Sequence, residues 1–183
     1  MSLPRTPARP AQRTAKVPQP TRGSALAAAP ITPLAPALQR VAQHIAEGLT
    51  YQEIVDATGL SVKTVRQYVR DIRESIHCPP RCKQPVLLHR LFTTQQATPP
   101  TTDRPAPQLT PAQEVLLRAV AEHSSGRDIA AALSIPHADL PAMLDQLLNE
   151  MGARDTTQLV ILAHGWELLT AEPAPHARGV TVQ

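Results

Sequence analysis

Two segments of about 60 residues carry one apolar pattern at a constant offset of 75, and a chain that repeats itself this way uses one small supersecondary unit twice. Leu34 and Pro36 match Leu109 and Pro111, Ala46-Glu47 matches Ala121-Glu122, and Glu53-Ile54 matches Asp128-Ile129. Leu60, Val65, Val69, Ile72 and Ile76 then match Ile135, Leu140, Leu144, Leu147 and Met151. The register holds without a gap until the loop after a third helix. The matched positions are mostly apolar, so what repeats is a core.

Local signals set the elements of the first copy. A helix is expected from about Pro36 to Glu47, stopped at Gly48. Thr50 caps a second helix, with Glu53 completing a capping box. That helix ends at Gly59, and Ser61 caps a third running to about Ile76. A fourth follows near Val86 to Phe92. A short helix, a glycine turn and a longer helix make a helix-turn-helix. With one Trp, two Tyr and one Phe in a chain that is 42% hydrophobic, the cores are aliphatic and the fold is all-α.

Composition divides the chain further. Eight of the twenty prolines lie in the first 36 residues and four more between Pro99 and Pro107, without apolar periodicity. The expected organisation is a disordered basic Pro-rich tail over 1–33, a first helical domain over 34–92, a linker over 93–108, a second helical domain over 109–170 and a disordered tail over 171–183. No apolar run is long enough to span a membrane, and the N-terminus lacks the apolar stretch of a signal peptide, so no membrane partner and a cytoplasmic location are expected. The two cysteines, Cys78 and Cys82, make no disulfide framework.

Charge separates the two copies. Residues 1–30 hold five Lys/Arg and no acid, 31–92 hold eight against five acids, and 109–170 hold three against eight. The basic and acidic halves are expected to have different partners. Within the third helix, Val62, Val65, Val69, Ile72 and Ile76 form an apolar seam, and Lys63, Arg66, Arg70 and Arg73 fall in an arc of about 80° on the other side, with Gln67 at its edge. Asp71 and Glu74 sit at or beyond that edge. Arg pairs bidentately with guanine, Gln with adenine, and any Lys or Arg neutralises phosphate.

These residues carry a resemblance. "LAPALQRVAQHIAEGLTYQEIVDATGLSVKTVRQYVRDIR" resembles the DNA-binding domain of LuxR-type transcriptional regulators, and "QLTPAQEVLLRAVAEHSSGRDIAAALSI" with "LLNEMGARDTTQLVILA" resembles it again. The second copy keeps the family's opening at Leu109-Thr110-Pro111 and its closing pattern at Met151 to Arg154 and Thr157-Gln158, and the first keeps the better middle at Glu47 to Leu49 and Ser61 to Val65. The resemblance implies an all-α chain of two tandem four-helix LuxR-type helix-turn-helix domains joined by a Pro-rich linker. It also implies that the positions of Arg66, Gln67 and Arg70 face base edges, and those of Lys63, Thr64 and Tyr68 the backbone; with Arg73 these form the expected DNA-binding set. "HCPPRCKQP" departs from the family's glycine-containing turn, which puts dimerisation through the first copy's fourth helix in doubt. "GLTYQEI" with "SVKTVR" also resembles the promoter-reading region of sigma factors, but the separate helical region for the −10 element is missing.

The second copy has Ala138, Asp139, Pro141, Ala142, Met143 and Asp145 where the first has Lys63, Thr64, Arg66, Gln67, Tyr68 and Arg70. Pro136 and Pro141 delay its third helix, with Asp139 as the cap. Two carboxylates repel a phosphate backbone, so this copy is expected to assemble proteins instead. Its last helix, read from Thr156 to Leu169, leaves Val160, Ile161 and Leu168 off the stripe that closes its own core, and these are the expected interface of a homodimer.

His77, Cys78, Cys82 and His89 can be counted as zinc ligands, but Cys-x3-Cys with flanking histidines matches no known spacing, and neither a metal nor a cofactor is expected. No glycine-rich phosphate loop, paired-carboxylate site or Ser/His/Asp arrangement stands out, so no enzyme is expected. The leading expectation is a bacterial, nucleoid-associated, sequence-specific regulator that reads double-stranded DNA with its first helix-turn-helix and assembles through the second. The alternative is an adaptor whose acidic second repeat docks on another regulator or on RNA polymerase, with auxiliary DNA contact. Salt dependence separates them, because phosphate contacts release counterions.

Overall fold

The computed structural model describes residues 33–79 and 81–169, and over these the chain is all-helical, with eight helices and no strand among the described residues. The expected tails over 1–33 and 171–183 lie outside the described residues, residue 33 excepted. No described helix is long and apolar enough to cross a membrane.

Capping chemistry explains where the helices begin. α1 (Pro36–Ala46) opens on a proline, whose fixed φ suits a first helical position. α2 (Tyr51–Thr58) is closed by the full capping box: the Glu53 N–H donates to Thr50 Oγ1 at 3.3 Å, and the Thr50 N–H donates to Glu53 Oε2 at 2.7 Å. α3 (Val62–Ser75) starts at Ser61, whose hydroxyl accepts the Thr64 N–H at 3.1 Å. α4 (Gln84–Thr93) starts with proline in its first turn. α5 (Pro111–Glu122) repeats the capping box with Thr110 and Gln113, and α6 (Gly126–Leu133) is capped by Ser125.

α5 begins 75 residues after α1, and α6 begins and ends 75 residues after α2. The left-handed turn is kept as well: Gly59 has φ +69°, and Ser134, 75 residues on, has φ +57°. Serine tolerates this region less well than glycine, at a cost of about 1 kcal/mol, so the second copy holds the same turn at a disadvantage.

α7 (Leu140–Met151) starts later than α3 does in the first copy, as Pro136 and Pro141 predict. Asp139 is at its N-cap, but its backbone is helical and its side chain makes no capping bond. α8 is Thr156–Gly165, shorter than the expected run to Leu169, because Glu167 turns left-handed at φ +59° and the Trp166 indole N–H donates to the Arg104 carbonyl at 2.7 Å.

The turn from α3 to α4 differs from its sequence reading. His77 and Arg81 are left-handed, the Cys82 N–H donates to the Pro79 carbonyl at 3.0 Å, and Cys78 and Cys82 are joined by a disulfide.

All eight helices contribute to one buried cluster. α4 packs against α1, α5 and α8. Its Val86, Leu87, Leu88 and Leu91 are 0–2% exposed. Full burial of each such side chain is worth about 1.5–3 kcal/mol.

The segment expected as a linker, 93–108, starts inside α4 and is then bonded to both copies. Gln96 Oε1 accepts the Leu34 N–H at 2.8 Å, the Gln43 side chain exchanges bonds of 3.0 and 3.2 Å with the Thr98 backbone, and Arg104 holds Trp166. The described residues therefore belong to one compact unit.

Candidate nucleic-acid interface

The apolar seam of α3 decides which side chains face outward. Val65, Val69 and Ile72 are buried, with Ile76 just beyond the helix, so the opposite face is left to Lys63, Arg66, Gln67 and Arg70, all exposed. These four, with Val62 and Thr64, line an open concavity of about 780 Å³. At 1.5 Å rise per residue, Lys63 and Arg70 lie about 10 Å apart along the axis, with Arg66 between them. Among the described residues, Lys63, Arg66 and Arg70 have neither an ion-pair nor a hydrogen-bond partner. Three unneutralised cations on one helical face form a surface suited to a polyanion.

The other expected site residues are placed differently. Gln67 Nε2 donates to Asp71 Oδ1 at 2.7 Å, so its amide is engaged by that carboxylate. Thr64 is half-buried with its hydroxyl 2.8 Å from that of Ser61, and Tyr68 is half-buried against the core. Arg73 is also half-buried, and its Nε is closed off from water without a hydrogen-bond partner. The wheel grouped Arg73 with the open cations. Packing turns part of its guanidinium stem inward.

The matching surface of the second copy is exposed at Ala138, Asp139, Pro141, Ala142 and Asp145, with Met143 half-buried. It offers two carboxylates and no Lys or Arg at those positions.

The residues expected at a dimer interface lie elsewhere. Val160 is 0% and Ile161 6% exposed within a single chain. Leu168 is half-buried beyond the end of α8. A helix that is apolar all round needs cover on more than one side. α5 and α7 supply one cover and α4 of the same chain the other.

The four residues counted as zinc ligands do not converge. Cys78 and Cys82 are bonded to each other, and no group of three or more metal-binding side chains occurs among the described residues. His89 instead faces His164: Nδ1 lies 3.0 Å from His164 Nε2, and the Phe92 ring packs 4.7 Å from that of His164. Burial holds both imidazoles below the ordinary histidine range, His164 at about 4. This pair was missed because each histidine reads as isolated in sequence. Their helices, α4 and α8, start and end 72 residues apart, so the 75-residue register of the first three helices does not pair these two positions.

No protein-family model, curated protein or solved structure matches the chain.

Proposed function

We propose that the protein is a sequence-specific DNA-binding transcriptional regulator, in which α1 to α4 act as a LuxR-type helix-turn-helix domain with α3 in the major groove. The observation that carries this reading is the cationic face of Lys63, Arg66 and Arg70, exposed and free of ion-pair partners among the described residues. A protein normally neutralises such a run with neighbouring acids. Here the acids nearest to it serve Gln67 or sit at its edge.

On this reading Arg66 and Arg70, one turn apart and exposed, contact base edges, and Lys63 near the helix start contacts phosphate. Gln67 reads only if it leaves Asp71. Thr64, Tyr68 and Arg73 contribute from the flanks. The second copy carries carboxylates at the matching positions, Asp139 and Asp145, and takes no part in reading DNA.

Selection from randomised duplexes, followed by anisotropy titration on the enriched sequence across a salt series, tests this. Each phosphate that a cation neutralises contributes about −0.9 to the slope of log K against log salt, so the affinity should fall as salt rises. An affinity independent of salt, or no enriched sequence at all, overturns the reading.

A further inference from the structure

We infer that the second copy occupies, within the same chain, the place a dimer partner would take, so that the protein acts as a monomer on a single asymmetric half-site. This rests on the DNA-binding reading above and specifies the class of site it takes.

The fourth helices carry the inference. If α1 to α4 stood alone, the side of α4 turned away from α1 would expose Leu and Val side chains to water. In the chain that side is covered by α8 and α5. Leu87, Leu88 and Leu91 on α4 and Leu159, Val160 and Ala163 on α8 are each 0% exposed. The apolar face that could recruit a second chain is therefore already occupied.

Further bonds fasten this arrangement. The Lys83 N–H donates to Ser124 Oγ at 3.0 Å, directly from one copy to the other. The 94–108 segment is tied to Leu34 and Gln43 at one end and to Trp166 at the other. A Cβ on Gly165 would lie 2.8 Å from the Pro100 carbonyl oxygen, a close approach that only glycine allows. These contacts make the second copy a fixed part of the body rather than a tethered module free to seek another chain.

What remains outside offers little to a second copy. Among the described residues, Val115 at 50% is the one large hydrophobic side chain that stands well exposed. Specific dimers bury about 1,200–2,000 Å² around an apolar centre, which one valine does not provide. Only one reading face is cationic; its counterpart presents Asp139 and Asp145. One chain therefore reads once, and nothing in it imposes a two-fold axis on the DNA.

Two measurements on the full-length protein test this. Light scattering at tens of micromolar should return the monomer mass of 19.8 kDa. On the duplex enriched by selection, native mass spectrometry should show one chain per duplex, binding should follow a Hill coefficient of one, and the selected motif should lack an inverted repeat. A dimer mass in solution, two chains per duplex or an inverted repeat overturns this inference and leaves DNA binding standing. Failure to enrich any sequence overturns the DNA reading, and the half-site with it.

Discussion

Acidification should loosen the junction of the two copies before it titrates the carboxylates. His164 is 2% exposed; burial first, and then the neighbouring His89, lowers its pKa from 6.5 to about 4. With both rings neutral, one nitrogen donates to the other at 3.0 Å, whereas protonating both sets two donors face to face. The unfolded chain titrates this ring near its ordinary value, so between pH 6.5 and 4 it binds a proton that the folded chain refuses, and stability falls as pH falls. A shift of that size corresponds to about 3 kcal/mol in full, of which about 2 kcal/mol is lost by pH 5. His89 acts in the same direction: burial lowers its pKa, Arg90 and Arg118 add to the shift, and Glu122 opposes it. The Glu53 carboxylate, held below the ordinary carboxylate range by bonds from Thr50, loses its contribution only at more acid pH. Urea unfolding followed by helical circular dichroism, at several pH values from 7.5 to 5, should show wild type losing about 2 kcal/mol more than His164→Gln. Equal losses in the two proteins would refute the reasoning.

Further outcomes follow from other parts of the structure. Arg66→Ala and Arg70→Ala should each weaken binding to the selected duplex by about 1–3 kcal/mol with unchanged circular dichroism; unchanged affinity and sequence preference would remove these residues from the reading set. Thr50→Ala removes the hydroxyl that accepts the Glu53 N–H, leaving the backbone half of the α2 capping box, and should cost about 0.5–2 kcal/mol in urea unfolding, with a cost near zero counting against the cap. Gly165→Ala drives a Cβ against a backbone oxygen and should cost about 1–3 kcal/mol, whereas a neutral result would mean that the 94–108 segment is not held against α8. Because one core runs through both copies, the Trp166 fluorescence and circular dichroism transitions should coincide; two separate transitions would show that the copies fold independently.

Much of the helical layout was legible because its causes are local. The Thr50–Glu53 box and the Ser61 cap are bonds across three residues, so sequence spacing alone finds them, and the observed α2 and α3 start where those signals place them. The 3.6-residue period likewise predicts that Val65, Val69 and Ile72 turn inward and that Lys63, Arg66 and Arg70 turn outward, as they do. Arg73 marks the limit of that rule, since a wheel carries angle but not the depth of the neighbouring surface that encloses its Nε.

The all-helical chain, its internal repeat and the one-sided charge of α3 are readable without a structure, because periodicity, capping and charge depend on residues a few positions apart. Only the tertiary structure decided what covers the surplus apolar face of α8. Val160 and Ile161 show, from sequence alone, that a second cover must exist; that it is α4 of the same chain depends on contacts across more than 60 residues. The same holds for the His89–His164 pair and for the 94–108 segment, whose prolines read as a tether but whose backbone is bonded to both copies. Hydrophobic burial has no direction along the chain, so a sequence states how much apolar surface must be covered, and the folded arrangement alone selects the surface that covers it.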